Sequence, residues 1–545
     1  MSISHKPEAV MQYEDAPSSH HENVSNTVHS FTADEATVKK GYFRSSFFLG
    51  TMLATGLDLS AAVGGFGLAA PNLALINADI GPDPNITWVS LVCTLTLAIR
   101  LLLWFFIGSA ALALIGCIVS AVANSVGMLI GGTTLIGLAA SGQQSFAFIT
   151  GEIVPMKHRF ATNAVMYFFC IPFAGLVPPV SKAFVLYTAS GWRWCYYLMI
   201  IVNFASGSLF FFFYFPPTFH EKFQNRSKRQ QIRGFDYLGT VLFVVGFCIF
   251  LLGLSWGGSV YPWKSAHVIA TMVSGGITLI IFVLWEMYAK LEEPLLPINL
   301  FKNFAWVVSC IPLGLGSSIY YALTIIWPQM VALLYTDDGG ASMYAGWLAC
   351  VPSLMINIGQ IAGGFLAEPI GKTKIQCIVV LTIGGALLGA IAAATPDTKA
   401  LSTGLLVLST FFIGWNENVC LSNSGIELLD QREIGTAVRG SSIRSAISTI
   451  SSAVYISVLT NRLTQTIPAE VPKAVTQAGL PASSVPAFIL ANSQAYSTVF
   501  YTTIAFTGIA VVLSFFSPNV DDKMTGKIAV TLHKGDADNV VSEKA

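Results

Sequence analysis

Apolar residues dominate thirteen stretches of this chain. They lie near 46–70, 86–123, 126–150, 161–183, 193–215, 237–256, 266–286, 304–333, 343–366, 375–394, 401–421, 434–459 and 494–516. A bilayer core ~30 Å thick is crossed by about 20 helical residues, so most of these runs predict one membrane-spanning helix each. The second does not. Residues 86–123 are thirty-eight residues with a single charge, Arg100, and no proline. As one straight helix they would be about 57 Å long. Either the chain folds back near Arg100 or one long buried helix replaces two ordinary spans.

Charge separates these alternatives. Basic residues mark every other connection: Lys39, Lys40 and Arg44, then Lys157 and Arg159, then the run from Lys222 to Arg233. They recur at Lys290 and Lys302, at Lys372 and Lys374, at Arg432, Arg439 and Arg444, and at Lys523, Lys527 and Lys534. The intervening connections are poor in Lys and Arg. By the positive-inside rule the basic set is cytoplasmic, together with both termini. Asp83 then lies outside and Lys157 inside, so an odd number of crossings joins them. Segment 126–150 supplies one, and 86–123 must supply two. The total predicted is fourteen spans. A long basic connection at 216–235 follows the sixth, and another at 287–303 follows the eighth.

The expected fold is therefore an all-α polytopic membrane protein. Its parts are a disordered cytoplasmic tail (1–45), a six-helix bundle (46–217), a connection carrying two inserted helices (218–303), a second six-helix bundle (304–517) and a cytoplasmic tail (518–545). Composition agrees, with 54% hydrophobic and 11% charged residues against about 25% charged in soluble domains. All nine cysteines are single, without CxxC spacing, and read as small packing residues. No phosphate-binding loop, metal-ligand cluster or nucleophile motif is present in the sequence. A transporter rather than an enzyme is expected, with no cofactor, no metal and no nucleic-acid partner.

Ionisable residues inside spans are costly and mark function by default. Asp58 lies mid-way along the first span, in Leu57-Asp58-Leu59-Ser60. A carboxyl there could alternate between protonated and ionised forms, or could hydrogen-bond a neighbouring helix as glue. Glu417, in Trp415-Asn416-Glu417-Asn418, could line a central cavity with Asn423 or serve as a structural polar contact. Gln143, Gln144, Gln329, Asn357 and Gln360 are uncharged cavity candidates. Trp327, Tyr320 and Tyr321 could form an apolar substrate wall or could equally pack on lipid. Arg193, beside Trp192 and Trp194 at the outer end of a span, is expected to snorkel or to pair.

Several strings carry a resemblance. Gly191-Trp192-Arg193-Trp194 and Phe235-Asp236-Tyr237-Leu238-Gly239 resemble the fourteen-span fungal drug:proton antiporters of the major facilitator superfamily. Leu75–Gly81, Asn85–Val89, Gly151–Lys157 and Leu254–Gly258 resemble the trichothecene efflux pump family within it. The resemblance runs from about 45 to 517. It implies proton-coupled efflux of a small hydrophobic molecule by a plasma-membrane protein, expected as a monomer in the lipid bilayer. A vacuolar location is the alternative. The second half keeps a degenerate form of the superfamily's cytoplasmic signature loop in Gly364, Glu368, Gly371, Lys372 and Lys374. In the first half Ile99–Trp104 stands where that loop belongs, leaving Arg100 alone to act at the gate. Gly132-Thr133 occupies the place of the fourth-span arginine, and Gly175-Leu176-Val177-Pro178-Pro179 is an eroded fifth-span motif. A siderophore or other metabolite transporter shares this architecture. A member without its first-half loop could also be unable to transport.

Overall fold

The structure, a computed structural model of the 545-residue chain, describes residues 33–34, 41–83, 105–214, 236–258, 261–289, 301–427, 434–477, 485–524 and 527–528, with isolated positions between them. Its helices are α1 (Ser46–Gly67), α2 (Leu73–Ile80), α3 (Phe105–Ala121), α4 (Val126–Gln143), α5 (Phe146–Ile153) and α6 (Arg159–Cys170). They continue with α7 (Val177–Tyr187), α8 (Arg193–Phe213), α9 (Tyr237–Trp256), α10 (Ala266–Tyr288), α11 (Phe304–Met330) and α12 (Met343–Ala349). The last five are α13 (Val351–Ile370), α14 (Thr373–Ala390), α15 (Lys399–Ile426), α16 (Ile434–Gln477) and α17 (Val485–Ser514).

Helix starts follow the local sequence. Each first turn leaves N–H groups that an apolar medium cannot satisfy. Ser45, Ser125 and Ser265 accept the backbone N–H three residues on, at 3.2, 3.3 and 3.3 Å. Asp236 accepts from Gly239 at 2.8 Å and Asn303 from Trp306 at 3.2 Å. Among the described residues, ten helical runs have the length and apolarity of a membrane span, or eleven when the bent pair α12–α13 is taken as one. The chain is thus a multi-pass, all-α membrane protein. The fourteen crossings expected are not all present as full-length spans among the described residues. The run Phe106–Ala121 is shorter than a span. The 44 residues of α16 extend well beyond a bilayer core and are rich in Ser and Thr.

The stretch 86–123 does reverse direction. A Cβ added at Gly137 would meet the backbone of Cys93, and one added at Gly116 would meet the backbone of Gly132 and Ile136. Cys93 and Gly116 thus touch adjacent turns of α4, whereas a straight helix would hold them ~34 Å apart. Arg100 lies outside the described residues.

Helices α1, α3, α4 and α8 pack on one another, and α11, α14, α15, α16 and α17 form a second packed group. Helices α9 and α10 pair and touch α16 through α9. The two groups meet where α6 crosses α13 and where α7 meets α12. Between Ile171 and Gly175 the chain makes a widened turn, with Leu176 N–H donating to the Ile171 carbonyl at 2.9 Å. Pro172 has no N–H to keep the regular ladder there. The carbonyl of Gly175, which finds no N–H at Pro179 four residues on, accepts from Ser353 Oγ of α13 at 3.0 Å. The eroded fifth-span motif is therefore a contact between the groups.

Helix α13 crosses α15 at backbone contact because glycines stand on both. Side chains at Gly359 or Gly363 would collide with Phe411 and Trp415, and one at Gly414 with the Ile356 carbonyl. Two glycines four residues apart on α13 are the small-residue pattern that lets spanning helices approach. That crossing places Gln360 beside Glu417.

Candidate functional site

A small cavity of about 50 Å³ lies between the two groups. Helix α1 contributes Leu59 and Val63, the turn after α4 contributes Gln144, and the start of α5 contributes Phe146. Ser317, Tyr320 and Tyr321 of α11 face it, as do Asn357 and Gln360 of α13, Glu417 of α15 and Arg444 of α16. Gln144 Nε2 donates to the Tyr321 hydroxyl at 3.3 Å, joining the groups across the cavity.

Glu417 is buried and accepts three hydrogen bonds, one from each of three other helices. Its Oε1 accepts from Ser317 Oγ at 2.7 Å and from the Arg444 guanidinium, and its Oε2 accepts from Gln360 Nε2 at 2.9 Å. Arg444 Nε donates to Ser317 Oγ at 2.9 Å, so Glu417, Ser317 and Arg444 form a closed triangle. Gly314 makes room for it, since a Cβ there would press on Ile447 and on the Arg444 carbonyl. Arg444 was counted from sequence with the basic connection at Arg432 and Arg439. It stands instead in the cavity wall. The available signal was its place inside the apolar run 434–459, where an arginine is functional by default.

Asp58 is fully buried behind Leu59 and does not line the cavity. Its Oδ1 accepts from Gln143 Nε2 at 2.9 Å and from Ser206 Oγ at 3.2 Å. Gln143 Nε2 also donates to Asn203 Oδ1 at 2.8 Å. The second carboxyl oxygen of Asp58 is buried without a hydrogen-bond partner among the described residues. No cation pairs with this acid there, in contrast to Glu417. Asn423 is buried on α15 away from the cavity, and its amide makes no hydrogen bond among the described residues. Trp327 is buried and donates to the Leu348 carbonyl at 2.8 Å, a packing role. Gln329 is exposed.

At the end carrying the basic connections, Arg159 donates to the carbonyls of Gly151 at 2.6 Å and Gly425 at 3.2 Å. Asn163 Nδ2 donates to Ser422 Oγ at 3.0 Å. Gly364 sits under the same crossing, where a side chain would strike Asn418, Ala164 and the Phe160 carbonyl. Glu368 is exposed. Gly371 and Lys372 turn the chain in the left-handed region, with φ of 65° and 50°. The Lys372 N–H donates to Asp521 Oδ2 at 2.6 Å, and Lys523 Nζ pairs with Glu427 at 2.6 Å. The C-terminal segment thus straps that end of α14 and α15. At the other end, Arg193 pairs with Asp79 at 3.1 Å and lies over the Trp192 ring. The Trp192 indole donates to the same carboxylate at 2.9 Å. That bond, with the Arg193 contact, holds the Asp79 carboxyl below its usual range.

Residues 8–529 match the family described as fungal trichothecene efflux pump (TRI12). The chain belongs to this family. The trichothecene efflux pump TRI12 of Trichoderma arundinaceum is 28% identical over 79% of this chain and 74% of its own length. The protein of the same name from Fusarium sporotrichioides is 27% identical over 82% of this chain and 77% of its length. A solved major facilitator superfamily proton:xylose symporter covers 90% of this chain and all of its own, with a TM-score of 0.55 at 13% identity. The human organic anion transporter of known structure covers 86% of this chain with a TM-score of 0.51 at 12% identity. The fold is that of the superfamily, and the protein is a secondary transporter of the efflux type.

Proposed function

We propose that this protein exports an uncharged, oxygenated hydrophobic molecule, trichothecene-like in size, and that protons pass the other way through Asp58. The observation that carries the reading is a buried acid inside a spanning helix, held by Gln143 and Ser206 and without a cation among the described residues. Such a carboxyl can gain or lose a proton without leaving a buried positive charge unpaired. Residues 46–217 and 304–517 act as two six-helix bundles that rock about the cavity, with 218–303 as the connection between them. Both termini and the basic connections face the cytoplasm of a plasma-membrane monomer. Gln144, Asn357 and Gln360 offer hydrogen bonds to the cargo.

The cavity volume of about 50 Å³ is far below the ~300–1,000 Å³ of sites for drug-sized ligands. The cavity is therefore contracted, and cargo enters only when the bundles part. Gly364, Gly371 and Lys372 belong to the gate at the basic end, which Arg159 and Asn163 also bridge. Those bridges favour a working gate over a non-transporting member, even with Ile99–Trp104 in place of the first-half loop. An anionic iron chelate is disfavoured, since the one cation among the described residues of the cavity wall is already paired.

The test uses purified full-length protein in sealed liposomes with an imposed pH gradient. A neutral trichothecene is expected to accumulate against its own gradient on the side of higher proton concentration, and a protonophore to abolish this. Accumulation that ignores the gradient removes proton coupling; no movement at all removes the efflux reading.

A further inference from the structure

The described cavity wall holds one acid and one base, Glu417 and Arg444, and they are spent on each other. We infer that Glu417 sets the charge class of the cargo by masking Arg444, so that the cavity admits uncharged molecules and refuses carboxylates. This rests on the central cavity being the cargo site.

The geometry supplies the mechanism. Glu417 has no oxygen to spare, since Oε1 takes Arg444 and Ser317 and Oε2 takes Gln360. It is held by donors on three other helices, so it cannot swing away to greet a cation. Arg444 is tied along one side, through Nε to Ser317 and through one terminal nitrogen to Glu417. It still keeps 14% of its side chain accessible, against 3% for Glu417. The guanidinium is thus the exposed member of the pair and the carboxylate the hidden one. A guanidinium fork is the side chain best matched to an incoming carboxylate. With Glu417 ionised behind it, an anionic cargo meets a net-neutral pair and must also give up its own hydration, while an uncharged cargo loses little. With the carboxylate removed, the same Arg444 becomes an unpaired buried cation facing the cavity. Asp58 cannot take over the masking, because it lies outside the lining and is already held by Gln143 and Ser206.

The test compares a matched pair of probes, a neutral trichothecene alcohol and its hemisuccinate ester, which adds one carboxylate to the same skeleton. Exchange of each is measured in proteoliposomes containing the full-length protein. Wild type is expected to exchange the alcohol and exclude the ester. Glu417→Gln should raise the ester-to-alcohol ratio about tenfold or more, the scale of one uncompensated charge at contact distance. The double variant Glu417→Gln with Arg444→Gln should return the ratio to the wild-type preference. If Glu417→Gln does not fold, Arg444→Gln decides. It leaves an acid in the wall, and a glycinate ester carrying an ammonium should gain about tenfold over the alcohol. An unchanged ratio in folded protein, or a double variant that still prefers the hemisuccinate, overturns the masking role. Wild type that exchanges neither probe overturns instead the cargo-site reading on which it rests.

Discussion

Two buried acids, one in each packed group of helices, differ in the partners that hold them. Asp58 on α1 is held by an amide and a hydroxyl, with one oxygen unpartnered among the described residues. Glu417 on α15 is held by an amide, a hydroxyl and a guanidinium, with both oxygens used. The chain positions also interchange. In the first group the acid is on the opening helix and its amide, Gln143, is at the end of α4. In the second group the hydroxyl of Ser317 is on the opening helix α11 and the acid is on α15. Two halves with similar helix order thus exchange acid and neutral partner. The presence of Arg444 then separates a carboxyl proposed to change its protonation from one paired with a guanidinium.

Breaking the pair should show the difference most strongly. Arg444→Ala leaves Glu417 buried without its cation, a loss of about 3–5 kcal/mol. It should appear as a large fall in thermal stability in detergent, whereas removing both charges together should recover most of it. A smaller loss is expected at the crossing that delivers Gln360 to Glu417. Gly363→Leu forces a side chain onto Trp415, an overpacking cost of about 1–3 kcal/mol, and should lower both the melting temperature and exchange. The smallest is Asp58→Asn. With no cation to strand, it exchanges one hydrogen-bonded polar group for another and should shift stability by under about 1 kcal/mol. A large destabilisation by Asp58→Asn would make that acid structural glue.

The helices, the reversal within 86–123 and the acid positions could be read from the chain, because hydropathy, charge alternation and the cost of a buried charge are local properties. Gln360 with Glu417 was legible only as two separate candidates. Their meeting depends on Gly359, Gly363 and Gly414, which become a crossing only when α13 and α15 are side by side. Arg444 was missed because an arginine near other basic residues looks like part of a loop, although it lies inside the apolar run 434–459. Asp58 and Gln143 were both singled out as possible cavity residues, yet they bond to each other behind Leu59. The strap made by Asp521 and Lys523 joins residues far apart in sequence, and no local pattern announces it.

The central claim is that Asp58 moves the proton while the Glu417–Arg444 pair stays a fixed feature of the cargo site. It is tested most directly by comparing gradient-driven accumulation with gradient-free exchange of the same neutral trichothecene in proteoliposomes containing Asp58→Asn. The account expects accumulation to be lost while exchange survives. Accumulation at the wild-type level in folded Asp58→Asn protein would contradict it.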